Sequence, residues 1–306
     1  MTGATTQGPL VGRAALVTGG ARGLGRAIAQ ALTSAGADVL IADTGVAIDG
    51  STPDPAFVHA AAAEMGVRAL TTSIATPEGA AAAVAAVGER FDILVHAAAI
   101  LRDGLLFKSD AFDVEAVLRT SLSGGIHLSR AAAERFRTQA KAADGRWPSA
   151  RIVHLISTAG LYGNYGQAAY AAAKAGLVGL TRVAALDLHR LGATANAIAP
   201  FGATRVTESI RPQSPQQEAY KASALSVPAG DVGTLVEWLC RDEAAGITGQ
   251  IFGVRGREVM LFSQSRPIAR AVVRRGTPLG PQLSGLTEHL VPLETDLDAF
   301  SGDPLV

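Results

Sequence analysis

The chain has 306 residues with 27 basic and 27 acidic side chains, and this zero net charge argues against binding to nucleic acid or to an anionic membrane. Its single cysteine, Cys240, excludes an internal disulfide and favours a reducing compartment. The first ten residues lack a signal-peptide pattern and no segment reaches the about 18 apolar residues of a membrane span, so we expect one cytoplasmic α/β domain.

The first pattern in the chain is a strand, a glycine turn and a helix. Residues 14–17 predict a strand and residues 26–35 a helix, with Gly19, Gly23 and Gly25 between them. Glycines let the backbone turn tightly and approach a pyrophosphate, which the N–H groups and the positive dipole end of the helix attract. The pattern indicates a dinucleotide site, although such a turn also occurs for purely structural reasons.

The second predicted strand, 38–42, ends in an acidic residue that bears on the choice of cofactor. Asp43 is placed to accept hydrogen bonds from the adenosine ribose and to repel a 2′-phosphate. Arg22 in the glycine turn argues the other way, because a guanidinium pairs with that phosphate. We expect NAD rather than NADP. The alternative for Asp43 is a turn or cap residue.

Strands and helices alternate along the rest of the chain. Further strands are predicted at 67–72, 91–95, 151–156, 193–199 and 250–254. Helices are predicted at 56–65, from Thr76 to near Gly88, at 110–140 with an interruption at 123–125, at 170–191 and at 232–240. This alternation predicts a single-domain α/β fold with a Rossmann-like, doubly wound parallel sheet and helices on both faces. Ligands bind at the carboxyl ends of such strands, where the polar, proline-broken residues 201–229 are a candidate mobile lid.

The strongest candidates for catalysis lie between residues 157 and 174. Tyr170 and Lys174 stand four residues apart on a predicted helix, so both side chains are expected on one face. A nearby ammonium favours the phenolate, and such a pair can exchange a proton with an alcohol or a ketone. Ser157 ends the preceding strand, where its hydroxyl can hold the same substrate oxygen. The structural alternative is a serine in a turn and two side chains that only decorate a helix.

Together these motifs identify a family resemblance. The glycine turn, Asp43, Ser157, Tyr170 and Lys174 occur in order, with Ser157 thirteen residues before Tyr170, and residues 10–262 resemble the short-chain dehydrogenase/reductase family. Within it, the sequence is most similar to the (3R)-hydroxyacyl-CoA dehydrogenase unit of peroxisomal multifunctional enzyme type 2 and its bacterial relatives. Weaker matches support that branch, at 100–103, 161–168, 196–200 with Arg205 and Thr207 after it, and 236–240.

The resemblance implies that a hydride moves between a secondary alcohol carbon and nicotinamide C4. Tyr170 would be the acid or base, Lys174 would lower the pKa of its phenol, and Ser157 would orient the carbonyl. Ser121 takes the place of an asparagine that relays protons through water to the lysine. The implied cofactor-binding residues are Gly19, Arg22, Gly23, Leu24, Gly25, Asp43, Ser73, Ala97, Ala98, Tyr170, Lys174 and Pro200.

The resemblance also implies a substrate class and an organisation. A 3-hydroxyacyl-CoA or a similar lipid-like or steroid-like small molecule is the expected substrate, and a homodimer or homotetramer is the expected assembly. Residues 1–262 would form the NAD(P)-binding domain and 263–306 a C-terminal extension. An NADPH-dependent 3-oxoacyl reductase is the alternative that Arg22 favours.

Several positions depart from the family's pattern. Residues 96–99, His-Ala-Ala-Ala, stand where the family has Asn-Asn-Ala-Gly, and Ala99 would narrow the cofactor cleft. Ser121 replaces the relay asparagine, Ser73 replaces an acidic residue that meets the adenine, and Phe201 replaces a glycine. These departures bear on cofactor affinity and rate more than on the fold. They motivate a third alternative, a catalytically weakened NAD-binding scaffold or regulatory subunit.

The histidines and the arginines of the tail carry weaker signals. The six histidines show no metal-ligand spacing, so no metal site is expected. His96 either touches the cofactor or packs at the end of its strand. Four arginines, at positions 266, 270, 274 and 275, have near-helical spacing. They suit a solvated helix face, a subunit contact or, as a further alternative, an anionic carrier such as CoA.

Overall fold

In the computed structural model, the described residues, 8–203, 207–208, 212 and 214–295, form one eight-stranded sheet with the order β3-β2-β1-β4-β5-β6-β7-β8. Strands β1 to β7 are parallel, and β8 pairs with β7 in the antiparallel sense. The strands are Ala14–Thr18 (β1), Asp38–Ala42 (β2), Arg68–Leu70 (β3), Ile93–His96 (β4), Arg151–Leu155 (β5), Thr194–Phe201 (β6), Ile251–Arg255 (β7) and Glu258–Phe262 (β8). The predicted doubly wound α/β fold is confirmed.

Helices cover both faces of this sheet. The α-helices among the described residues are Gly23–Ser34 (α1), Pro55–Met65 (α2), Pro77–Ala86 (α3), Ala111–Leu118 (α4), Gly124–Lys141 (α5), Ala159–Tyr162 (α6), Ala168–Asp187 (α7), Pro215–Ser226 (α8), Gly230–Leu239 (α9) and Leu279–Thr287 (α10), of which α10 has no buried residue. Leu16 and Val17 are both fully buried on β1 but belong to separate core clusters, because successive strand residues face opposite sides. The cluster that contains Val17 includes side chains of α1 and α9, and the cluster that contains Leu16 includes side chains of α3 and α5.

Local sequence signals set several helix boundaries. Thr76 caps α3, since its hydroxyl accepts a hydrogen bond from the amide of Gly79 at 3.1 Å and Pro77 takes the first helical position, as predicted. The interruption predicted at 123–125 lies earlier in the chain, where a π-helical turn, Arg119–Ser123, separates α4 from α5, and Gly124 and Gly125 already belong to α5. Such turns occur often at functional sites. This one carries Ser121.

Other boundaries differ from the expectations. The sequence did not predict β8, which follows β7 after a two-residue turn that begins with Gly256, and this edge strand makes the sheet mixed rather than wholly parallel. The lid candidate, 201–229, contains α8, and part of it, with Arg205, lies outside the described residues. Residues 263–275 are not helical, so the helical interpretation of the tail arginines is wrong.

The described residues also bear on membrane insertion and on metal binding. Among them, no helix combines the length and the apolar character that crossing a membrane requires. Within the same residues, no three or more His, Cys, Asp or Glu side chains cluster as metal ligands. The division into 1–262 and a C-terminal extension stays a prediction.

Candidate active site

A cleft opens at the carboxyl ends of the parallel strands, between the glycine turn after β1 and the first turns of α7. Twelve residues were expected to bind the cofactor, and all of them line this cleft. They are Gly19, Arg22, Gly23, Leu24, Gly25, Asp43, Ser73, Ala97, Ala98, Tyr170, Lys174 and Pro200. Residues far apart in the sequence therefore share one concave surface.

The glycine turn forms a cradle without side chains. Gly19 has a φ of +66°, and a Cβ on it would lie 2.9 Å from the Cα of Ala98. A Cβ on Gly25 would lie 2.1 Å from the carbonyl oxygen of Gly19. Helix α1 begins at Gly23, and among the described residues no side chain caps its first amides. The turn therefore fits a pyrophosphate group, which needs close backbone approach and uncapped N–H donors.

Asp43 and Arg22 flank the cleft with opposite charges. One carboxylate oxygen of Asp43 accepts a hydrogen bond from the amide of Ala21 at 3.0 Å, and the other accepts one from Gly45 at 2.8 Å. The carboxylate is thus fixed between the glycine turn and the loop after β2. The guanidinium of Arg22 lies over the ring of Phe57, 3.7 Å from its centroid. Asp43 and Arg22, the two residues expected to decide between NAD and NADP, therefore line the same cleft.

Tyr170 and Lys174 meet on one face of α7. Lys174 is 2% exposed, and its Nζ donates a hydrogen bond to the carbonyl oxygen of Leu155 at 2.6 Å and lies 5.5 Å from the centroid of the Tyr170 ring. Burial lowers the pKa of Lys174 from 10.5 to about 8, so the amine remains mainly protonated at pH 7. An ammonium so close to a phenol favours the phenolate, which is the arrangement that proton exchange with an alcohol needs.

Ser157 and Ser121, the two serines expected to take part in catalysis, do not line the cleft. The hydroxyl of Ser157 accepts a hydrogen bond from the amide of Ala159 at 3.2 Å, and Ser157 is half-buried without lining the cleft. Ser121 is fully buried in the π-helical turn, and its hydroxyl has no hydrogen-bond partner among the described residues. Its neighbour Thr120 lines the cleft. Sequence analysis missed Thr120, although its place before Ser121 was the available signal.

The residues that depart from the family's pattern differ in burial and in whether they line the cleft. Ala97, Ala98 and Ala99 line the cleft, whereas His96 is fully buried and does not line it. The structure therefore supports the packed strand-end alternative for His96. Phe201 is buried against Tyr220 of α8 and is not a cleft residue, so this replacement leaves the cleft itself unchanged.

A second, smaller cavity shares Tyr170 with the cleft. It brings together two segments of the resemblance, since Gln167 donates a hydrogen bond to Asp103 at 2.9 Å. Next to it, Leu106 is 78% exposed and Phe107 is 81% exposed. Two cavities that meet at Tyr170 suit two reactants, and the lining of the smaller one is mainly polar, with Arg102, Asp103, Lys108, Asp110 and Asp113.

Comparison with known proteins agrees with this geometry. A family model described as enoyl-(acyl carrier protein) reductase matches residues 19–256. The hydroxyacyl-CoA dehydrogenase ChsB1 of Mycobacterium tuberculosis is 39% identical over 259 residues, which cover 83% of this chain and 80% of that protein. The 3-oxoacyl-(acyl-carrier-protein) reductase FabG of Vibrio cholerae is 34% identical over 262 residues, which cover 82% of this chain and 99% of that protein.

The solved structures point the same way. A short chain dehydrogenase from Mycobacterium avium superposes with a TM-score of 0.78 at 30% identity, covering 94% of this chain and 99% of that one. The sequence motifs, the sheet, the cleft and the relatives agree. The chain belongs to the short-chain dehydrogenase/reductase family and is an oxidoreductase that uses a nicotinamide cofactor, NAD(H) or NADP(H), to act on hydroxyl or keto groups.

Proposed function

We propose that the protein is an NAD-dependent dehydrogenase of 3-hydroxyacyl thioesters, 3-hydroxyacyl-CoA or similar lipid-like secondary alcohols. The observation that carries the proposal is the pairing of Tyr170 with a buried Lys174 in the cleft that the glycine turn and Asp43 also line. Burying an ammonium costs free energy, and perturbed groups of this kind cluster at functional sites. The same pairing therefore argues against a non-catalytic scaffold.

The cofactor would lie along the cleft. The glycine turn would hold the pyrophosphate, Asp43 the adenosine ribose, and Lys174 with Tyr170 the nicotinamide ribose. Ser73 would lie at the adenine end, and Leu24, Ala97, Ala98 and Pro200 would line the rest of the cofactor's path through the cleft. When bound, the nicotinamide accepts the hydride from the alcohol carbon in oxidation, or supplies it to the ketone in reduction.

The residues of the chain handle the proton. In oxidation, the Tyr170 phenolate takes the proton of the substrate hydroxyl while the C–O bond gains its double-bond character, and in reduction it returns that proton. The Lys174 ammonium stabilises the phenolate. Ser157 does not line the cleft, and its role rests on the family resemblance, in which this hydroxyl would donate a hydrogen bond to the substrate oxygen and orient it. Ser121 would hold the water that passes the proton on towards Lys174, since its buried hydroxyl lacks a partner among the described residues.

Asp43 supports NAD over NADP. The carboxylate is held by the amides of Ala21 and Gly45, so it cannot turn aside for a 2′-phosphate without losing both hydrogen bonds. Two negative groups at hydrogen-bond distance repel each other, and the ribose hydroxyls of NAD are donors that this carboxylate accepts.

A second candidate is an NADPH-dependent 3-oxoacyl reductase. Arg22 lines the same end of the cleft, and FabG relatives are named as 3-oxoacyl-(acyl-carrier-protein) reductases. A guanidinium near the ribose is the usual partner of a 2′-phosphate. Stacking on Phe57 holds Arg22 in one orientation, which is why we rank this candidate second.

We also propose that the protein is a homodimer or homotetramer. Helices α5 and α7 expose apolar side chains, with Ile126 43%, Val183 52% and Leu186 77% exposed. An apolar face of this kind on two long helices suits burial against a second copy of the chain. Light scattering of the purified protein measures the assembly directly.

The proposed reaction is tested with a matched panel. Wild-type protein is assayed with 3-hydroxybutyryl-CoA and longer 3-hydroxyacyl-CoA substrates, a steroid alcohol and a short free alcohol, each with NAD and with NADP. We expect NADH formation with the thioesters. The value of kcat/KM with NADP should be lower than with NAD by at least about tenfold, which corresponds to a free-energy difference of about 1.4 kcal/mol. Preference for NADPH with 3-oxoacyl substrates would support the second candidate. Tight cofactor binding without oxidation of any alcohol and without reduction of any 3-oxoacyl thioester would overturn both candidates and support the scaffold alternative.

A further inference from the structure

His96 is a fully buried histidine whose two ring nitrogens each have a defined partner. Nε2 lies 2.9 Å from the carbonyl oxygen of Ser121, which only accepts, so Nε2 carries the hydrogen. Burial lowers the pKa of His96 to about 4, and the ring is neutral at pH 7. Nδ1 is therefore an acceptor, and it takes the hydroxyl hydrogen of Thr18 at 3.0 Å.

Thr18 extends this connection to the wall of the cleft. Its hydroxyl oxygen accepts hydrogen bonds from the amides of Ala97 at 3.2 Å and Ala98 at 3.3 Å. Both alanines line the cleft. A continuous chain of hydrogen bonds thus runs from the alanine turn through Thr18 and His96 to the carbonyl of Ser121.

At its other end, the chain of hydrogen bonds reaches a second part of the cleft wall, next to Thr120. Ser121 belongs to the π-helical turn, Arg119–Ser123, and the preceding Thr120 lines the cleft. Helix α5 packs directly on the imidazole, since a Cβ on Gly125 would lie 3.0 Å from its Cδ2 atom. The ring therefore has little freedom to tilt, and its two hydrogen bonds fix the distance between the two walls.

We infer that His96 is a positioning residue, which sets the separation of the Ala97–Ala98 turn and the π-helical turn for nicotinamide cofactor binding. The inference rests on the proposed cofactor site. A misplacement of about 1 Å in such a site can cost about 100-fold in rate.

His154 supplies a matched control. It is also fully buried, it pairs in register with His96 on the neighbouring strand, and the two ring centroids are 6.4 Å apart. Its nitrogens contact the hydroxyls of Ser129 at 2.9 Å and Thr181 at 2.8 Å. Neither His154 nor these partners line the cleft. The two histidines match in burial and in the number of contacts, and they differ in what they connect.

The experiment measures NADH dissociation constants of the wild type and three variants by fluorescence titration. We expect His96→Leu to weaken binding by at least about tenfold and His154→Leu by less than about twofold, with similar losses of unfolding free energy in the two variants. Glutamine places its terminal amide near the position of Nε2, so His96→Gln keeps the donor to Ser121 but loses the acceptor for Thr18, and its NADH affinity should lie between those of His96→Leu and the wild type. Equal weakening by the two leucine variants, or no recovery with glutamine, would overturn the inference.

A measurement on the wild type covers the case in which a variant does not fold. The ¹⁵N chemical shifts of the histidines at pH 7 should show a neutral His96 with its hydrogen on Nε2, and the Nδ1–H form would refute the assignment. These readouts do not depend on turnover. Wild-type protein that binds NADH but oxidises no alcohol would defeat the proposed function and leave His96 testable, whereas an active wild type with an unaffected His96→Leu variant would defeat only the positioning role.

Discussion

Lys174→Met separates the catalytic contribution of the buried lysine from its effect on stability. The fall in the pKa of Lys174 from 10.5 to about 8 means that keeping the ammonium buried costs about 3 kcal/mol at pH 7. Methionine has a similar length and carries no charge. The variant loses the hydrogen bond from the ammonium to Leu155, and a bond with a charged donor is worth about 2 kcal/mol. We therefore expect the unfolding free energy of Lys174→Met at pH 7 to be about 1 kcal/mol higher than that of the wild type.

The gain should depend on pH in a defined direction. Because the folded-state pKa lies below the unfolded value, the destabilisation by Lys174 is complete below about pH 8 and disappears as the pH rises from about 8 towards 10.5. In that window the unfolded state binds more protons than the folded state, so the wild type gains stability relative to the variant. The advantage of Lys174→Met should therefore shrink as the pH rises from 7 to about 10.

Urea denaturation at the two pH values measures both effects. Lys141→Met, at an exposed position in the last turn of α5, is the control and should change the unfolding free energy by less than about 0.5 kcal/mol at either pH. Turnover by Lys174→Met should fall by about 100-fold or more, because the phenolate loses its ammonium partner. A variant that is less stable than wild type at pH 7, or a difference that does not change with pH, would refute the reasoning.

Three further substitutions test other parts of the site. Asp43→Ala should reduce the preference for NAD over NADP by about tenfold, measured as the ratio of the two kcat/KM values; an unchanged ratio would exclude Asp43 as the discriminator. Ser157→Ala should lower kcat by about 100-fold with NADH affinity unchanged in titration, and a change in KM alone would contradict its role towards the substrate oxygen. In Gly25→Ala the new Cβ would lie 2.1 Å from the carbonyl oxygen of Gly19, so the turn must move and calorimetry should detect no NADH binding; wild-type affinity would refute the cradle.

Local patterns predicted the parts of the structure that depend on neighbouring residues. Apolar runs bounded by glycine or a capping threonine defined the strands and helix starts, because these signals act over a few residues. The four-residue spacing of Tyr170 and Lys174 predicted one helix face, and α7 provides it. Parallel-sheet topology then predicted that the ends of several strands share one rim. All twelve expected cofactor residues do line one cleft.

Contacts between distant residues were not predictable in this way. The hydrogen bond from His96 to Ser121 joins residues 25 positions apart, and that from Gln167 to Asp103 joins residues 64 positions apart. No local period encodes either contact. Strand β8 was missed because it lies at the edge of the sheet, where its side chains alternate between partly buried and exposed and do not form the continuous buried run of the central strands. The spacing of the tail arginines predicted a helix that residues 263–275 do not form, because the spacing of charges does not stabilise a helix without an apolar face that packs.

Tyr170→Phe is the most direct test of the central claim, which is that a tyrosine beside a buried ammonium moves the proton in this cleft. The variant should bind NADH within about twofold of wild type, and its kcat for 3-hydroxyacyl-CoA oxidation should fall by about 100-fold to 10,000-fold, the usual contribution of a positioned acid or base. Phenylalanine keeps the ring and removes only the hydroxyl. Turnover by this variant at a rate close to that of the wild type would contradict the claim.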